Sequence, residues 1–465
     1  MAIATTTELE SFLERYPQTR TLEVLMPDIN GILRCKRIDR CEFHTLFRGG
    51  LKCPISTPLL DCMSELPEGL DAARFAGDPD QVLLPISGTL APVPWLDSPT
   101  AQVLVGLADL DGAPAWIDPR NVLQGVLRRY HADKLRPVVA TELEFYLVKL
   151  GDGRRPERVL SHVPGTAIPQ TGIQYCIAED LWSADGFLED IRLACEVQSI
   201  PLSAMHSEFA EGQWEINTLH SEDPLLGCDR TAMFKRLVKG VAQKHGFSAC
   251  FMAKPFADQA GSGMHIHVSA YDAQGENIFA IGEKHSDKGG EMPAFSETLL
   301  SAIGGLARTM PSGMAIFAPN ANSYRRLRPD TYAPIAVNWG YNHRGVSLRI
   351  PVSSPNNRRI EHRVAGADAN PYLVVAAVLA GIHHGLNTPC ELPETVHAGA
   401  EPEALDGCLP RRWDYALDAF RACEILPPYL GEDYCRLFAI SRQEECDRLH
   451  YSIPDTDYKW YLRVV

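Results

Sequence analysis

Three separate segments of the sequence place ionisable residues two positions apart. The residues are Glu142 and Glu144, His265 and His267, and Arg359, Glu361 and Arg363. In a β-strand, residues i and i+2 point to the same face, so each segment would present a line of polar groups. Unpaired charge on a buried sheet face is very costly. Three such strands therefore predict one shared polar cavity, although a solvated sheet face would show the same alternation.

The residue types favour a metal site over a solvated face, because the set holds glutamate, histidine and arginine but no lysine. Glutamates joined by one or two imidazoles suit Mg²⁺ or Mn²⁺. A further acidic pair, Glu208 and Glu215, frames a predicted bend at Gly212-Gln213 that would turn both carboxylates toward one site. So many ligands fit two ions better than one. Paired metals with arginines stabilise charge on a transferring phosphoryl group.

Arginines are clustered in one stretch of the sequence. Eight arginines fall between Arg325 and Arg363, although the formal net charge of the chain is −15. Such a cluster requires an anion, either structural carboxylates or a bound phosphate. The acidic total argues against nucleic acid as a partner, because a phosphate backbone needs a basic surface.

The elements that must position these residues follow from strand and helix signals. In the first 110 or so residues, a hairpin is predicted around Asn30-Gly31 and a second strand pair around Asp111-Gly112. These signals predict a small, mostly β domain. From a helix beginning at Asp118-Pro119, strands mix with helices rather than alternating strictly, which is typical of an α+β domain. Further helices are predicted at 185–198, 229–245 and 371–387.

Cysteine usage and hydropathy bear on the compartment. The 13 cysteines are scattered without a C-x-x-C motif, which favours free thiols in a reducing compartment. The longest apolar run, 371–386, is too short and interrupted to cross a membrane. The N-terminus shows no export signal. We therefore expect a cytoplasmic protein.

Five segments carry a resemblance to a known family. They are TELEFYLV, the Glu208/Glu215 pair, AGSGMHIHVS, NSYRRL and RRIEHRVAGADANPYL. In this order they resemble the glutamine synthetase superfamily over nearly the whole chain, and most of all the γ-glutamylpolyamine (glutamate–putrescine) ligases. The resemblance implies an α+β fold with a small N-terminal β-grasp-like domain (1–115) and a larger catalytic domain (116–465). In the catalytic domain, a curved antiparallel sheet would hold two metals.

The resemblance also implies the reaction and its partners. ATP would phosphorylate the γ-carboxylate of L-glutamate, and an organic amine, either a polyamine such as putrescine or a monoamine, would attack the γ-glutamyl phosphate. Two Mg²⁺ or Mn²⁺ ions would serve each active site. The implied assembly is a homo-oligomeric ring, typically a dodecamer, and the implied role is amine or polyamine catabolism.

Residue roles follow from the same resemblance, position by position. The implied ligands of the first metal are Glu144, Glu208 and Glu215, and those of the second are Glu142, His265 and Glu361. The implied ATP contacts are His267, Ser269, Arg344, Arg349 and Arg359, of which Arg344 and Arg359 would also act in catalysis. The implied glutamate contacts are Gly261, His265, Arg326 and Arg363.

Three departures from the ammonia-using members concern the substrate and its control. Tyr332 stands where those members carry a glutamate that accepts a proton from ammonium, and a phenol with a pKa of about 10 is a poor substitute. Ala260 replaces an asparagine that contacts glutamate. Cys390 lies near the place of a tyrosine that some bacterial members adenylylate. The first change suggests a site opened for a larger amine, and the third argues against control by adenylylation.

An alkylammonium must lose a proton before it attacks, which costs about 4 kcal/mol at pH 7. Asp61 resembles an N-terminal-domain aspartate that family members insert into a neighbouring subunit's site, and it is the candidate base. Glu211, between two metal ligands, is a candidate to attract a distal ammonium. Asp61, Tyr332 and Glu211 are thus the amine-site candidates, although either acid would serve equally as an ordinary loop residue.

Other functions remain open at this point. H-x-H on a strand is also typical of metal-dependent amidohydrolases, but there it lies near the start of the domain and precedes further histidines. An ammonia-using glutamine synthetase is the nearer alternative, and Tyr332 disfavours it. A catalytically inactive structural or regulatory homologue is a third, and the complete set of proposed ligands disfavours it.

Overall fold

The protein is described by a computed structural model that covers residues 2–70, 75–151, 155–280, 294–329, 331–397 and 408–465. Its first sheet is formed by strands from the N-terminal part of the chain. They are β1 Thr21–Pro27, β2 Leu33–Asp39, β3 Leu51–Pro54, β4 Asp80–Pro85, β5 Ala91–Pro92 and β6 Thr100–Ala108. The strand order is β2-β1-β6-β4-β3, with β5 also on β6. Strands β1 and β6 are parallel and the other pairs are antiparallel.

Of the two predicted strand pairs in this region, the structure forms one. β1 and β2 make the hairpin around Asn30-Gly31. The prediction of a second strand after Asp111-Gly112 is wrong, since only one isolated bridge joins Ala108 to Pro114. Proline lacks the N–H that a ladder needs, and the next helix begins five residues later, so no strand has room to form.

The second sheet belongs to the larger part of the chain. Its strands are β7 Arg136–Leu150, β8 Pro156–Arg158, β9 Leu202–Ser207, β10 Gln213–Thr218, β11 Ser248–Cys250, β12 Met264–Tyr271, β13 Trp339–Tyr341, β14 Leu348–Ile350 and β15 Ile360–His362. The order is β13-β14-β15-β12-β7-β10-β9, and β8 and β11 also pair with β7. All pairs are antiparallel except β13 with β14. The α+β fold class is confirmed, whereas the division at residues 115 and 116 stays a prediction.

Helices pack on both sheets. They are α1 Thr6–Arg15, α2 Phe43–Gly49, α3 Pro119–Ala132, α4 Ala178–Ser183, α5 Asp185–Val197, α6 Pro224–Lys244, α7 Glu297–Phe317, α8 Ala321–Tyr324, α9 Pro371–Asn387, α10 Trp413–Arg421, α11 Pro427–Leu430, α12 Glu432–Tyr451 and α13 Asp455–Tyr461. The apolar helix α9 is almost wholly buried and packs against α7 and α3. None of the helices that the structure describes is long and apolar enough to span a membrane.

Helix starts at Asp-Pro sequences recur in this fold. Asp118 caps α3 by accepting a hydrogen bond from the Arg120 N–H, with Pro119 in the first turn, as predicted. Helix α6 begins in the same way at Pro224, directly after its N-cap Asp223 and five residues before the predicted start at Asp229. The Asp223-Pro224 pair is the same signal, and it was missed there.

The N-terminal hairpin contacts the catalytic part of the chain through Asn370, the N-cap of α9. The Asn370 Oδ1 accepts from the Tyr372 N–H at 3.0 Å. Its Nδ2 donates to the backbone oxygens of Asp28 and Ile29, at 3.1 and 3.3 Å. One side chain thus caps a helix and holds the hairpin turn.

Candidate active site

The concave face of the second sheet carries two adjoining cavities. The larger has a volume of about 890 Å³ and the smaller of about 380 Å³. Glu142 and Asn217 line both. The polar residues predicted to share one face come from β7, β12, β15 and β10, and the register sets His265 opposite Glu142, His267 opposite Glu361, and Glu215 opposite Glu144.

One group of potential metal ligands is Glu142, His267 and Glu361, whose ligand atoms all lie within 4.8 Å of one another. Arg359 Nε donates to Nδ1 of His267 at 3.2 Å, which leaves the proton on Nε2. That Nε2 lies 2.8 Å from Glu142 Oε1. Burial raises the pKa of Glu142, but hydrogen bonds from His265 and His267 outweigh it and hold that pKa well below its usual range.

A second group is His206, Glu208 and Glu215, also within 4.8 Å of one another. His206 Nε2 lies 3.5 Å from Glu208 and 3.8 Å from Glu215. Burial, followed by the charge of Glu142, raises the pKa of Glu215 to about 7. The charge of His206 and a hydrogen bond from Asn217 act in the opposite direction but do not outweigh burial.

His265 and Glu144 lie between the two groups. His265 is 3.2 Å from Glu142, 3.8 Å from Glu144 and 3.9 Å from Glu361. Burial raises the pKa of Glu144, and the nearby carboxylates of Glu215 and Glu208 raise it further, against the charge of His265. Crowded carboxylates joined by imidazoles are a donor set that fits divalent cations such as Mg²⁺ or Mn²⁺.

The structure brings all six predicted metal ligands to one site, and their division between two metals stays a prediction. His267 lies near Glu142 and Glu361 in addition to the predicted His265, and Glu144 stands next to the second group. His206 was not predicted. It shares with Glu208 the i, i+2 spacing seen on the other strands, so the same signal would have found it.

The predicted arginines divide between the two cavities. Arg359 and Ser269 line the smaller one, together with His267. The larger is lined by Arg326, Arg344, Arg349 and Arg363. Arg349 Nη1 lies 2.7 Å from Glu361, which also pairs with Arg363. The arginine cluster therefore has two roles. Some of its members pair with a structural carboxylate, and its members also line cavities that are open to an anion.

Gly261 also lines the larger cavity, and its backbone lies against Arg326. A Cβ at this position would stand 2.7 Å from Arg326 Cγ and 2.7 Å from the Ala253 oxygen. Only glycine leaves room for the arginine there. Ala260, where the ammonia-using members have asparagine, lines the same cavity.

The three amine-site candidates have different surroundings. Tyr332 is 70% exposed and lines the larger cavity, edge-on to Phe209 at 6.3 Å between ring centroids. Glu211 does not line it, because its carboxylate pairs with Arg158 at 2.8 Å and accepts the Gly172 N–H.

Asp61 lies outside both cavities of its own chain. It is 3% exposed, and it accepts from the N–H groups of Met63 and Glu65 at 2.8 and 2.9 Å. Arg448 on α12 donates to its other oxygen at 2.9 Å. The structure thus gives Asp61 a role in fixing its own loop. Its part as a base in a neighbouring subunit stays a prediction.

Comparison with known proteins identifies the family. The family model for the glutamine synthetase catalytic domain matches residues 116–461. The chain belongs to the glutamine synthetase family. It is 40% identical over 463 residues to γ-glutamylputrescine synthetase PuuA of Escherichia coli, covering 99% of this chain and 95% of the relative.

Other relatives in the glutamine synthetase family carry different amine specificities. The chain is 30% identical to glutamate–isopropylamine ligase of a Pseudomonas species, covering 98% of both chains. It is also 30% identical to glutamine synthetase of Halobacterium salinarum, covering 88% of this chain and 90% of that one. A solved structure of a GmaS/ADP complex superposes with a TM-score of 0.82 at 26% identity, covering 98% of this chain and 99% of that chain. The resemblance inferred from the sequence is confirmed.

Proposed function

We propose that this chain is an ATP-dependent ligase that joins the γ-carboxylate of L-glutamate to an organic amine. The observation that carries the proposal is the pair of acid–imidazole groups at the junction of two cavities, with arginines on both sides. Relatives named for putrescine and for isopropylamine, at 40% and 30% identity, support an amine as the third substrate. The role would then lie in amine or polyamine catabolism.

The proposed reaction has two steps. An oxygen of the glutamate γ-carboxylate attacks the γ-phosphorus of ATP, and the bond to the bridging oxygen breaks to release ADP. The amine nitrogen then attacks the acyl carbon of the γ-glutamyl phosphate, releases inorganic phosphate and loses its proton. The smaller cavity, with Arg359, His267 and Ser269, suits the nucleotide, and the larger cavity, with its five arginines, suits glutamate.

Two divalent cations, Mg²⁺ or Mn²⁺, complete the proposal. Glu142, His265, His267 and Glu361 would hold one, and Glu144, His206, Glu208 and Glu215 the other. When bound, such ions neutralise charge on the transferring phosphoryl group. The chain's own arginines hold the anionic substrates in the orientation that the reaction needs.

The amine end of the larger cavity favours an organic amine over ammonia. Tyr332 is exposed at this end, beside Phe209. A neutral phenol does not attract a small cation as a carboxylate does, and an aromatic pair offers contact to carbon. We further propose that the protein works in the cytoplasm as a homo-oligomeric ring of twelve subunits, which a measurement of the mass of the assembly would test.

The test is phosphate release from ATP against ammonium, methylamine, isopropylamine, putrescine, spermidine and phenylethylamine. We expect release to require glutamate, Mg²⁺ or Mn²⁺, and an organic amine together. Saturation by ammonium alone at low millimolar concentration would instead assign the chain to the ammonia-using enzymes. No glutamate-dependent release with any nucleophile would support the inactive homologue.

A further inference from the structure

The lining of the larger cavity includes four large side chains with mainly apolar surfaces. Ile173, Tyr175, Phe209 and Tyr332 line it, and we call these four residues the apolar wall. Their exposed fractions are 60%, 45%, 40% and 70%. Large apolar side chains gathered on the wall of a cavity mark the place of an apolar part of a ligand.

Neither glutamate nor ATP requires this wall. Glutamate is charged at both ends, and Arg326 and Arg363 in the larger cavity match its carboxylates. Of the implied ATP contacts, Arg359 and Ser269 line the other cavity, and Arg344 and Arg349 in this cavity are cations that suit phosphate rather than apolar contacts. Tyr175 stands edge-on to His206 at 6.2 Å, so the wall borders the group of Glu208 and Glu215. The carbon chain of the amine is therefore the part of the substrates that would contact the apolar wall.

A carboxylate stands apart from the metal groups in the same cavity. Among the described lining residues, Asp258 is the one acid that lies outside the buried set of glutamates. Hydrogen bonds from its own backbone N–H and from Gln259 hold its pKa below the usual range. The nearest cations have other partners, since Arg158 pairs with Glu211 and Lys254 donates to the Gln259 oxygen.

One hydrogen bond joins the segment that carries Asp258 to the segment that carries Tyr332. Arg328 Nη1 donates to the oxygen of Ala257, one residue before Asp258, at 3.5 Å. Thr331 Oγ1 donates to the oxygen of Arg328 at 2.9 Å. The two segments therefore form one rim of the cavity.

Building on the proposed function, we propose that this side of the cavity binds an alkane diamine. The apolar wall packs against its methylene groups, and Asp258 receives the ammonium at the far end. Glu211, the earlier candidate for that ammonium, is committed to Arg158 and lies outside the cavity lining.

The test of Asp258 compares two amines of equal carbon length, putrescine and butylamine. We expect Asp258→Asn to lower the putrescine-to-butylamine ratio of kcat/KM about fivefold, the worth of one partly screened charge pair. Asp97→Asn changes an exposed acid outside the cavity, and it should leave the ratio as in the wild type. An unchanged ratio in Asp258→Asn would overturn the assignment of the far ammonium.

The test of the apolar wall uses the series from methylamine to butylamine. In the wild type, kcat/KM should rise about fourfold for each added methylene, the usual gain on burying one. Phe209→Ala should flatten this rise, Phe209→Leu should keep most of it, and Tyr415→Ala, which removes an exposed aromatic outside the cavity, should not alter it. An unaltered rise in Phe209→Ala would overturn the role of the wall.

Hydroxylamine separates the failure of this inference from the failure of the proposed function. It is a small nucleophile that traps an acyl phosphate as a hydroxamate. Suppose that the wild type forms γ-glutamyl hydroxamate with ATP, that Asp258→Asn leaves the putrescine-to-butylamine ratio unchanged, and that Phe209→Ala leaves the rise of kcat/KM with chain length unchanged. The proposed diamine site is then wrong and the ligase function stands. If the wild type forms no hydroxamate and releases no phosphate with any amine, both are wrong.

Discussion

Glu361 belongs both to the candidate metal site and to the arginine cluster. It is 1% exposed and pairs with both Arg349 and Arg363. Burial raises its pKa, but the charges of Arg363, His267, His265 and Arg349 outweigh burial and lower that pKa to about 2. Its negative charge therefore serves two purposes, as a potential metal ligand and as the counter-charge of two arginines.

Replacing this carboxylate should affect both activity and stability. We expect Glu361→Gln to abolish phosphate release and to lower the free energy of unfolding by about 3 kcal/mol, because two arginines lose their buried partner. Turnover and urea unfolding measure the two effects. His265→Ala leaves those ion pairs in place, so it should abolish turnover with a smaller loss of stability. Substantial turnover in either variant would remove the two-metal assignment.

At the scale of elements, the β9–β10 connection positions Glu208 and Glu215. Gly212 has φ +73°, and a Cβ there would stand 2.8 Å from the Val159 oxygen. We expect Gly212→Ala to cost about 1–2 kcal/mol of stability from the left-handed backbone and to reduce turnover as the turn shifts. Gly275→Ala is the matched control, because Gly275 has φ +84° with open space around it. Equal turnover in the two variants would mean that the turn does not position the carboxylates.

Asp118 joins two other elements and should give a pH-dependent stability. Its carboxylate accepts from Arg120 N–H at the start of α3 and from Leu107 N–H on β6, both at 2.8 Å. Burial raises its pKa from 3.8 to about 6. Between these two pKa values, the unfolded chain has released this proton whereas the folded chain still holds it. The contribution of Asp118 to stability therefore falls as the pH rises through this range and is level above about 6.

Asp118→Ala should therefore cost about 2 kcal/mol near pH 4, through the lost cap and the unpaired Leu107 N–H. This cost should shrink as the pH rises to 6. Urea unfolding at intervals from pH 4 to pH 7 measures it. Asp118→Asn carries no titratable group, so the difference between the Asn and Ala variants should stay constant. A cost for Asp118→Ala that grows with pH would contradict the raised pKa.

The sequence predicted the elements of the site better than their grouping. The i, i+2 spacing predicted the strands that carry Glu142, His265 and Glu361, because strand periodicity is a local property. Which imidazole approaches which carboxylate depends on strand register and side-chain rotamers, and so both His265 and His267 approach Glu142, while His206 joins Glu208 and Glu215. The pairing of Glu211 with Arg158 depends on contacts between residues distant in sequence, which spacing does not encode.

At the scale of the whole molecule, the C-terminal helix α13 has no buried residue in its own chain. Trp460, Leu462 and Val464 are 65%, 74% and 71% exposed. A helix of seven residues is not stable alone in water, and clustered apolar exposure marks a contact with another chain. This surface supports the proposed oligomer.

We expect deletion of residues 455–465 to lower the mass of the assembly while the circular dichroism of the remaining chain is retained. Light scattering on purified protein measures the mass. Leu110→Ser is a control, since it removes an apolar side chain that is 66% exposed in a turn of the N-terminal region. An unchanged mass after the deletion would show that α13 does not contribute to assembly.

The double use of Asn370 has a consequence for how the chain folds. Its two backbone acceptors, Asp28 and Ile29, lie 342 and 341 positions earlier in the chain. Contacts between residues so distant in sequence carry a loop-closure cost and tend to slow folding. During synthesis, the hairpin turn must wait for most of the chain to leave the ribosome before its partner arrives. The two parts of the chain can therefore join at Asn370 only after most of the polypeptide has been made.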